Sequence, residues 1–316
     1  MSIPRFLQIH REDDAAVRAE LAAGLCSAPA QVAPKFLYDA LGSRLFEAIT
    51  ELPEYYPTRT EALIFQTQRQ AIAEVVGRGH TLVDLGAGNC EKAAGWFGAL
   101  APRAYVAVDI STEHLRQALG GLQQRHPGLP MLGLGLDFSA GLRLPAEAGE
   151  GSRLLFYPGS SIGNFTPAQA LEFLRGARGE AQGGAVLIGV DLVKAPALLN
   201  AAYDDPLQVT AAFNRNLLRR LNQLLGCDAE VADFAHVAFF DPQLSRIEMH
   251  LQARRALSLR WPGGARALAA GERIHTENSY KYTLDGFAAL LRDAGFGQVR
   301  HWTDPQQWFG VFWAAA

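Results

Sequence analysis

The sequence predicts an α/β fold, a mostly parallel sheet flanked by helices, with a second α+β unit inserted before the sheet is complete. Three observations carry this. Five apolar runs, each closed by glycine, proline or polar residues, recur between segments of helix length from residue 60 onward. A glycine-rich turn follows the first of them. The rhythm then breaks after Asp191 and resumes near residue 283.

In order, "RTEALIFQTQRQAIAEVVGRG" opens the α/β region as a helix, with Leu63, Ile64, Ile72 and Val75 at helical spacings and glycines at its end. The strands are "TLVDLGAGN", "AYVAVDIS", "MLGLGLDFS", "RLLFYPGSSIGN" and "GGAVLIGVDLV". The inserted stretch holds a long helix, "VTAAFNRNLLRRLNQLLG", a hairpin turning at Asp241 and Pro242, and the strand "RIHTENSYKYT". The helix "TLDGFAALLRDAGF" and the strands "GQVRHWTD" and "WFGVFWAAA" complete the sheet. The expected division is 59–194 with 283–316, and 1–58 with 195–282.

Composition narrows the function. The chain has 316 residues, 49% hydrophobic and 19% charged, enough to bury a substantial core. With 29 basic against 32 acidic residues and a net charge of −3, no polyanion-binding surface and no nucleic-acid partner is expected. No apolar stretch reaches the ~18 residues of a membrane span and the N-terminus lacks a leader pattern, so a cytoplasmic protein is expected. Cys26, Cys90 and Cys227 are widely spaced, and the eight histidines show no ligand spacing, so neither a disulfide framework nor a metal is expected. Nothing in the sequence speaks for an oligomer, and a monomer is the default.

The turn "VDLGAGNCEK" places Gly86 and Gly88 after an apolar strand, with Asp109 ending the next one. Glycines there let a ligand approach the backbone, and an acid ~20 positions on holds ribose hydroxyls, so the site reads as one for a nucleoside. Glu91 stands where a dinucleotide motif has its third glycine. Together with Asp84 it favours S-adenosylmethionine, whose sulfonium and amino-acid end replace phosphates; a dinucleotide or a bare tight turn are the alternatives. Asp137 and Phe138, after the third strand, are placed for an adenine, or Asp137 caps the next segment.

The strand at 273–283 raises its own question, because alternation puts His275, Glu277 and Ser279 on one face and Thr276, Asn278 and Tyr280 on the other. A carboxylate beside a hydroxyl is either a solvated edge or a pair of polar anchors.

Longer strings decide between these. "KFLYDALGSRLFEAITELPEYYPTRTEALI", "LGAGNCEK", "YPGSSIGNFTP", "AYDDPLQVTAAFNRN", "RIEMHLQAR" and "HTENSYKY" together resemble the histidine-specific methyltransferase family, best known for the L-histidine Nα-methyltransferases of ergothioneine biosynthesis. The resemblance runs from about Pro34 to Trp313 and implies a Rossmann-like class I SAM-dependent methyltransferase sheet with an inserted α+β substrate-binding domain. It implies that Tyr38, Gly86, Lys92 and Asp109 contact the methyl donor, with Asp137, Phe138 and Gly159 on the same side. Asn164 and Tyr203 hold the amino acid's carboxylate, Tyr55 sits at its amine as the catalytic residue, Met249 lines the imidazole pocket, and Glu277 and Ser279 close it. The implied reaction is three rounds of Nα-methylation of histidine to trimethylhistidine (hercynine), the first step of ergothioneine biosynthesis. Methylation of another amino acid or imidazole amine, or donor binding without catalysis, are the alternatives. Asn278, Tyr280 and Tyr282 depart from the family's usual small or apolar residues and phenylalanine, which bears on which imidazole compounds are accepted.

Overall fold

The structure, a computed structural model, describes residues 4–9, 13–138 and 141–316. In chain order its elements are β1 (Arg5–Gln8), α1 (Asp14–Cys26), β2 (Ala30–Gln31), α2 (Ala40–Thr50), α3 (Tyr56–Thr67), α4 (Arg69–Val76), β3 (Thr81–Leu85), α5 (Glu91–Ala94), α6 (Phe97–Leu100), β4 (Ala104–Asp109), α7 (Thr112–Arg125), β5 (Met131–Gly135), β6 (Arg153–Tyr157), α8 (Pro167–Glu180) and β7 (Ala185–Asp191). There follow α9 (Pro196–Tyr203), α10 (Val209–Leu225), β8 (Phe234–Asp241), β9 (Arg246–Ala253), β10 (Leu257–Trp261), β11 (Gly264–Leu268), β12 (Arg273–Tyr280), α11 (Leu284–Asp293), β13 (Val299–Thr303) and β14 (Phe309–Ala315).

Two compact units result, the first from residues 1–11, 57–193 and 282–316, the second from 12–56 and 194–281. In the first, eight strands run in the order β1-β5-β4-β3-β6-β7-β14-β13. All neighbours from β1 to β7 pair in parallel, and β14 is antiparallel to both β7 and β13. Strands β3, β6 and β7 are buried along their whole length, which is why they read as mainly apolar runs, with Asp84, Arg153 and Asp191 as the charged exceptions. Strand order reverses between β4, β3 and β6, and at such a switch point the loops beyond the strand ends open a crevice. The glycine turn lies there.

Two expectations are corrected in this unit. The expected division places residues 1–58 wholly in the other unit, but β1 pairs with β5 as an edge strand, a four-residue segment too short to show a period. The single helix read from residue 60 is two, α3 and α4, parted at Gln68. The Thr67 hydroxyl donates to the Leu63 carbonyl at 2.8 Å, a back-bond of the kind that bends helices.

The second unit is built on a four-stranded sheet, β2-β12-β9-β8, and a separate hairpin of β10 with β11, which the sequence reading did not foresee. Its long helix α10 buries Phe213, Leu217, Leu218, Leu221 and Leu225. Asp205 starts that helix by accepting from Val209 N and Thr210 N at 2.9 and 2.8 Å. Asp39 does the same for α2 through Gly42 N, and the Asn216 amide of α10 donates to that same oxygen at 2.8 Å. The loop carrying Tyr38 is thereby pinned at its end.

Candidate active site

In the first unit the turn after β3 passes through positive φ at Gly86 (+71°), Gly88 (+52°) and Cys90 (+63°). Open space lies where a side chain at either glycine would project, so the turn forms a cradle of bare backbone. Asp109 stiffens it: one carboxylate oxygen accepts from Gly88 N at 2.9 Å and the other from Ser111 N at 2.8 Å. Burial raises the Asp109 carboxyl above its usual range despite those bonds. Asp84 lies beneath, pushed by burial up to about 7 although the Tyr105 hydroxyl donates to it at 2.7 Å.

The lysine of this turn is held by a buried acidic partner. Lys92 Nζ pairs at 2.8 Å with Glu61 of α3, a carboxylate only 1% exposed, whose other oxygen accepts from Gly159 N at 2.7 Å. A Cβ at Gly189 on β7 would collide with Glu61, so a glycine is what lets this carboxylate sit against the strand. With Asp84, Asp109 and Glu91 around bare backbone, the site suits a nucleoside carrying positive charge and is poor for a pyrophosphate. Asp137 and Phe138 follow β5, and the Phe138 ring packs 5.8 Å from Tyr157 and 5.9 Å from Phe173. Asn164 ends the turn Ser161–Asn164 after β6 and is half-buried.

In the second unit β12 supplies the polar anchors. Glu277 stands directly opposite Met249 in the antiparallel ladder, and Ser279 opposite Ile247, so these four share a face. Glu277 is 6% exposed, Ser279 4% and Met249 1%, which makes this a buried apolar face with two polar side chains in it. The solvated-edge alternative is thus excluded. Glu277 Oε2 has no hydrogen-bond partner among the described residues, and burial pushes the carboxyl up to about 8 against a modest pull from Lys281. An orphaned buried carboxylate oxygen of this kind calls for a donor from a ligand.

His275 does not share that face, as the alternation implied. The ladder slips between His275 and Glu277, leaving Thr276 as an extra residue whose hydroxyl bonds the Met249 carbonyl at 3.0 Å. His275 then pairs with His250 on the reverse face, the rings 5.2 Å apart, and its Nε2 meets the Asn278 side chain at 2.9 Å.

Beside Ser279 the Tyr203 hydroxyl donates to Ser279 Oγ at 2.8 Å, and Lys281 Nζ donates to both, at 2.7 Å to Ser279 and 3.1 Å to Tyr203. The Tyr203 carbonyl is tied to His236 Nε2 at 2.8 Å. The Tyr55 ring lies edge-on to Tyr203 and to Phe46, both at 6.1 Å, and Tyr38 packs on Phe46 and Phe213.

The expected residues therefore fall into two sets. Gly86, Lys92, Asp109, Asp137, Phe138, Gly159 and Asn164 belong to the first unit; Tyr38, Tyr55, Tyr203, Met249, Glu277 and Ser279 belong to the second. The sequence alone does not single out Glu61 of α3 or Lys281, which directly follows β12. Among the described residues no group of three or more His, Cys, Asp or Glu side chains could hold a metal ion, and no helix is long and apolar enough to cross a membrane.

Comparison with known proteins agrees with this chemistry. The histidine N-alpha-methyltransferase of Mycolicibacterium smegmatis is 41% identical over 304 residues, 94% of this chain and 94% of the relative. That of Mycobacterium tuberculosis is 39% identical, over 97% of this chain and 98% of the relative. Ergothioneine biosynthesis protein 1 of Neurospora crassa is 30% identical across 87% of this chain, but only 32% of its own length is matched. Residues 17–316 match the family described as histidine-specific methyltransferase, SAM-dependent, and the chain belongs to that family.

Proposed function

We propose that the protein transfers methyl groups from S-adenosylmethionine to the α-amino nitrogen of free L-histidine, in three rounds, giving the trimethylammonium betaine. The observation that carries this reading is Glu277: a buried carboxylate with an orphaned oxygen, two residues from a buried hydroxyl and facing Met249. A ring with two polar nitrogens on a flat apolar body fits such a face, and a purely hydrocarbon ring would leave the Glu277 oxygen unpaired. The names of the Mycolicibacterium and Mycobacterium relatives, similar over nearly their full length, support the same substrate.

When bound, the donor supplies a methyl carbon made electrophilic by the adjacent sulfonium. The amine's lone pair forms the new C–N bond as the C–S bond breaks, and the electron pair leaves with sulfur. No protein nucleophile is required, so the residues position the amine and exclude water. Gly86 and Gly88 offer bare backbone to the donor, Asp109 its carboxylate oxygens to the ribose, and Phe138 a ring face to the adenine. Tyr55 accepts a hydrogen bond from the ammonium or amine and aims its lone pair, the displaced proton passing to solvent. Tyr203 and Asn164 are each assigned to the α-carboxylate. Aromatic faces at Phe46 and Tyr55 suit the increasingly methylated cation, which loses N–H donors at each round but keeps its charge. Such a product is the entry compound of ergothioneine biosynthesis, a pathway named in the Neurospora relative.

The test is discrimination. Wild-type protein should prefer histidine over β-(2-thienyl)alanine, an isostere without ring nitrogens, by at least about 100-fold in kcat/KM. The Glu277→Ala, Ser279→Ala double variant should lose most of that preference. A double variant that still discriminates as the wild type does would contradict the assignment.

A further inference from the structure

We propose that His236 is the positioning residue for Tyr203: Asn214 holds its ring as the neutral tautomer protonated on Nε2, and that proton fastens the end of α9 from which Tyr203 reaches the substrate's carboxylate. The inference rests on the assignment of Tyr203 to the α-carboxylate and deepens it, by naming what keeps that side chain in place.

His236 stands opposite Leu251 in the ladder of β8 with β9, as Ala238 stands opposite Met249, so its ring lies on the sheet face that also carries Met249, Glu277 and Ser279. On that face it meets two helices. Nε2 lies 2.8 Å from the Tyr203 carbonyl oxygen in the last turn of α9, and Nδ1 lies 2.9 Å from the Asn214 amide nitrogen in α10. A second contact of Asn214 decides which ring nitrogen carries the proton. The same amide nitrogen is 3.0 Å from the His250 carbonyl, which can only accept, so each of its two hydrogens has one acceptor. His236 Nδ1 is therefore bare. A neutral imidazole with a bare Nδ1 carries its proton on Nε2, and the Tyr203 carbonyl accepts it.

An imidazolium would turn a second N–H against the Asn214 amide. Burial works in the same direction, lowering the ring's pKa against the pull of the Tyr203 carbonyl and Asp204; Arg215 and Asp205 are the other charged groups that bear on it. The cost of the arrangement falls on Asn214, which is fully buried and leaves Oδ1 without a partner among the described residues. Turning the amide over would set that oxygen against the His250 carbonyl, so the orphan is retained.

What the tether holds is the C-terminal end of a helix, where carbonyls lack a partner within the helix. Phe240 N, also on β8, donates to the Asn200 side chain at 2.7 Å, one turn earlier in α9. The helix is thus docked on β8 at two points, and one of them is the residue whose hydroxyl meets Ser279. Without the Nε2 proton the carbonyl is left unpaired and the Tyr203 side chain loses its fixed origin. Grip on the carboxylate then weakens equally in ground and transition state, so KM rises and kcat holds.

Two measurements test this. Long-range 15N NMR of the ligand-free full chain, with the His236 ring identified by its loss in His236→Gln, should show a bare Nδ1 and a protonated Nε2. The ring should stay predominantly neutral at about pH 6.5, where an ordinary imidazole is half protonated. A proton on Nδ1, or a ring half protonated at that pH, overturns the inference. In steady-state kinetics His236→Leu should raise the histidine KM about tenfold with kcat and the donor KM unchanged, and His236→Gln, whose amide can donate to the Tyr203 carbonyl, should return it to near wild type. An unchanged histidine KM in His236→Leu, an equal rise in both KM values, or no rescue in His236→Gln overturns it; should His236→Leu not fold, the wild-type spectrum still decides. Tyr203→Phe separates the two levels. A raised histidine KM there beside an unchanged one in His236→Leu overturns the inference alone, and an unchanged KM in Tyr203→Phe overturns the carboxylate assignment beneath it.

Discussion

Replacing Glu277 by glutamine should make the protein more stable and less active at once, and the pH dependence of the gain identifies its source. In the unfolded chain this carboxyl titrates near its ordinary 4.5, and in the native chain burial moves it to about 8. Between those values the native state keeps a proton that the unfolded state has released. Unfolding free energy therefore falls as pH rises through that window, and is fully lowered above about pH 8. At roughly 1.4 kcal/mol per unit the burden is of order 2–5 kcal/mol once relaxation around the carboxyl is allowed. Glutamine has the same shape and does not titrate. In urea unfolding of the ligand-free protein at pH 5, 6.5 and 8, the Glu277→Gln variant should lie closest to wild type at the lowest pH and gain progressively to the highest. Its kcat/KM for histidine should fall by about 10-fold, the worth of one buried polar group left imperfectly paired. Parallel stability profiles for the two proteins would refute the buried-carboxylate argument, and unchanged turnover would refute its role in binding. The trade is one that binding sites commonly make, holding an unfavourable group ready for a ligand.

Three further substitutions probe the remaining parts. Tyr55→Phe should lower kcat/KM for histidine by about 2- to 10-fold through loss of one hydrogen bond to the amine, read by initial rates with the donor saturating. Gly88→Ala puts a side chain into the open cradle at a φ of +52°, where an L residue costs roughly 1–2 kcal/mol, so the donor KM should rise about tenfold while the histidine KM holds. Glu61→Ala leaves the Gly159 amide without its acceptor and Lys92 without its partner; a loss of about 1–3 kcal/mol in urea unfolding and a weaker donor KM are expected.

The parallel sheet was legible because β3, β6 and β7 are buried on both faces and so run mainly apolar, each closed by glycine or a polar turn. The insertion was legible from the break in that rhythm. What escaped was short or weakly patterned: β1, with four residues, and the β10–β11 hairpin, whose strands are partly exposed. The face of β12 was half right. Glu277 and Ser279 do share a buried face, but strict alternation carried His275 with them, and an extra residue at Thr276 reverses it. No local signal marks that bulge, since it is set by pairing with β9, far away in sequence. Lys281 and Glu61 were hidden for a common reason. A charged side chain is ordinarily solvated, and only the tertiary partners of these two, hydroxyls in one case and a lysine with a backbone amide in the other, make their burial tolerable.

The most direct measurement of the central claim is product mass. Purified protein incubated with S-adenosylmethionine and an equimolar mixture of the free L-amino acids, histamine and the Nα-methylated histidines should add methyl groups to histidine and its mono- and dimethyl forms alone, ending at three on the α-nitrogen. Methyl groups appearing on another amino acid, on histamine or on a ring nitrogen, with histidine untouched at its amine, would contradict the account.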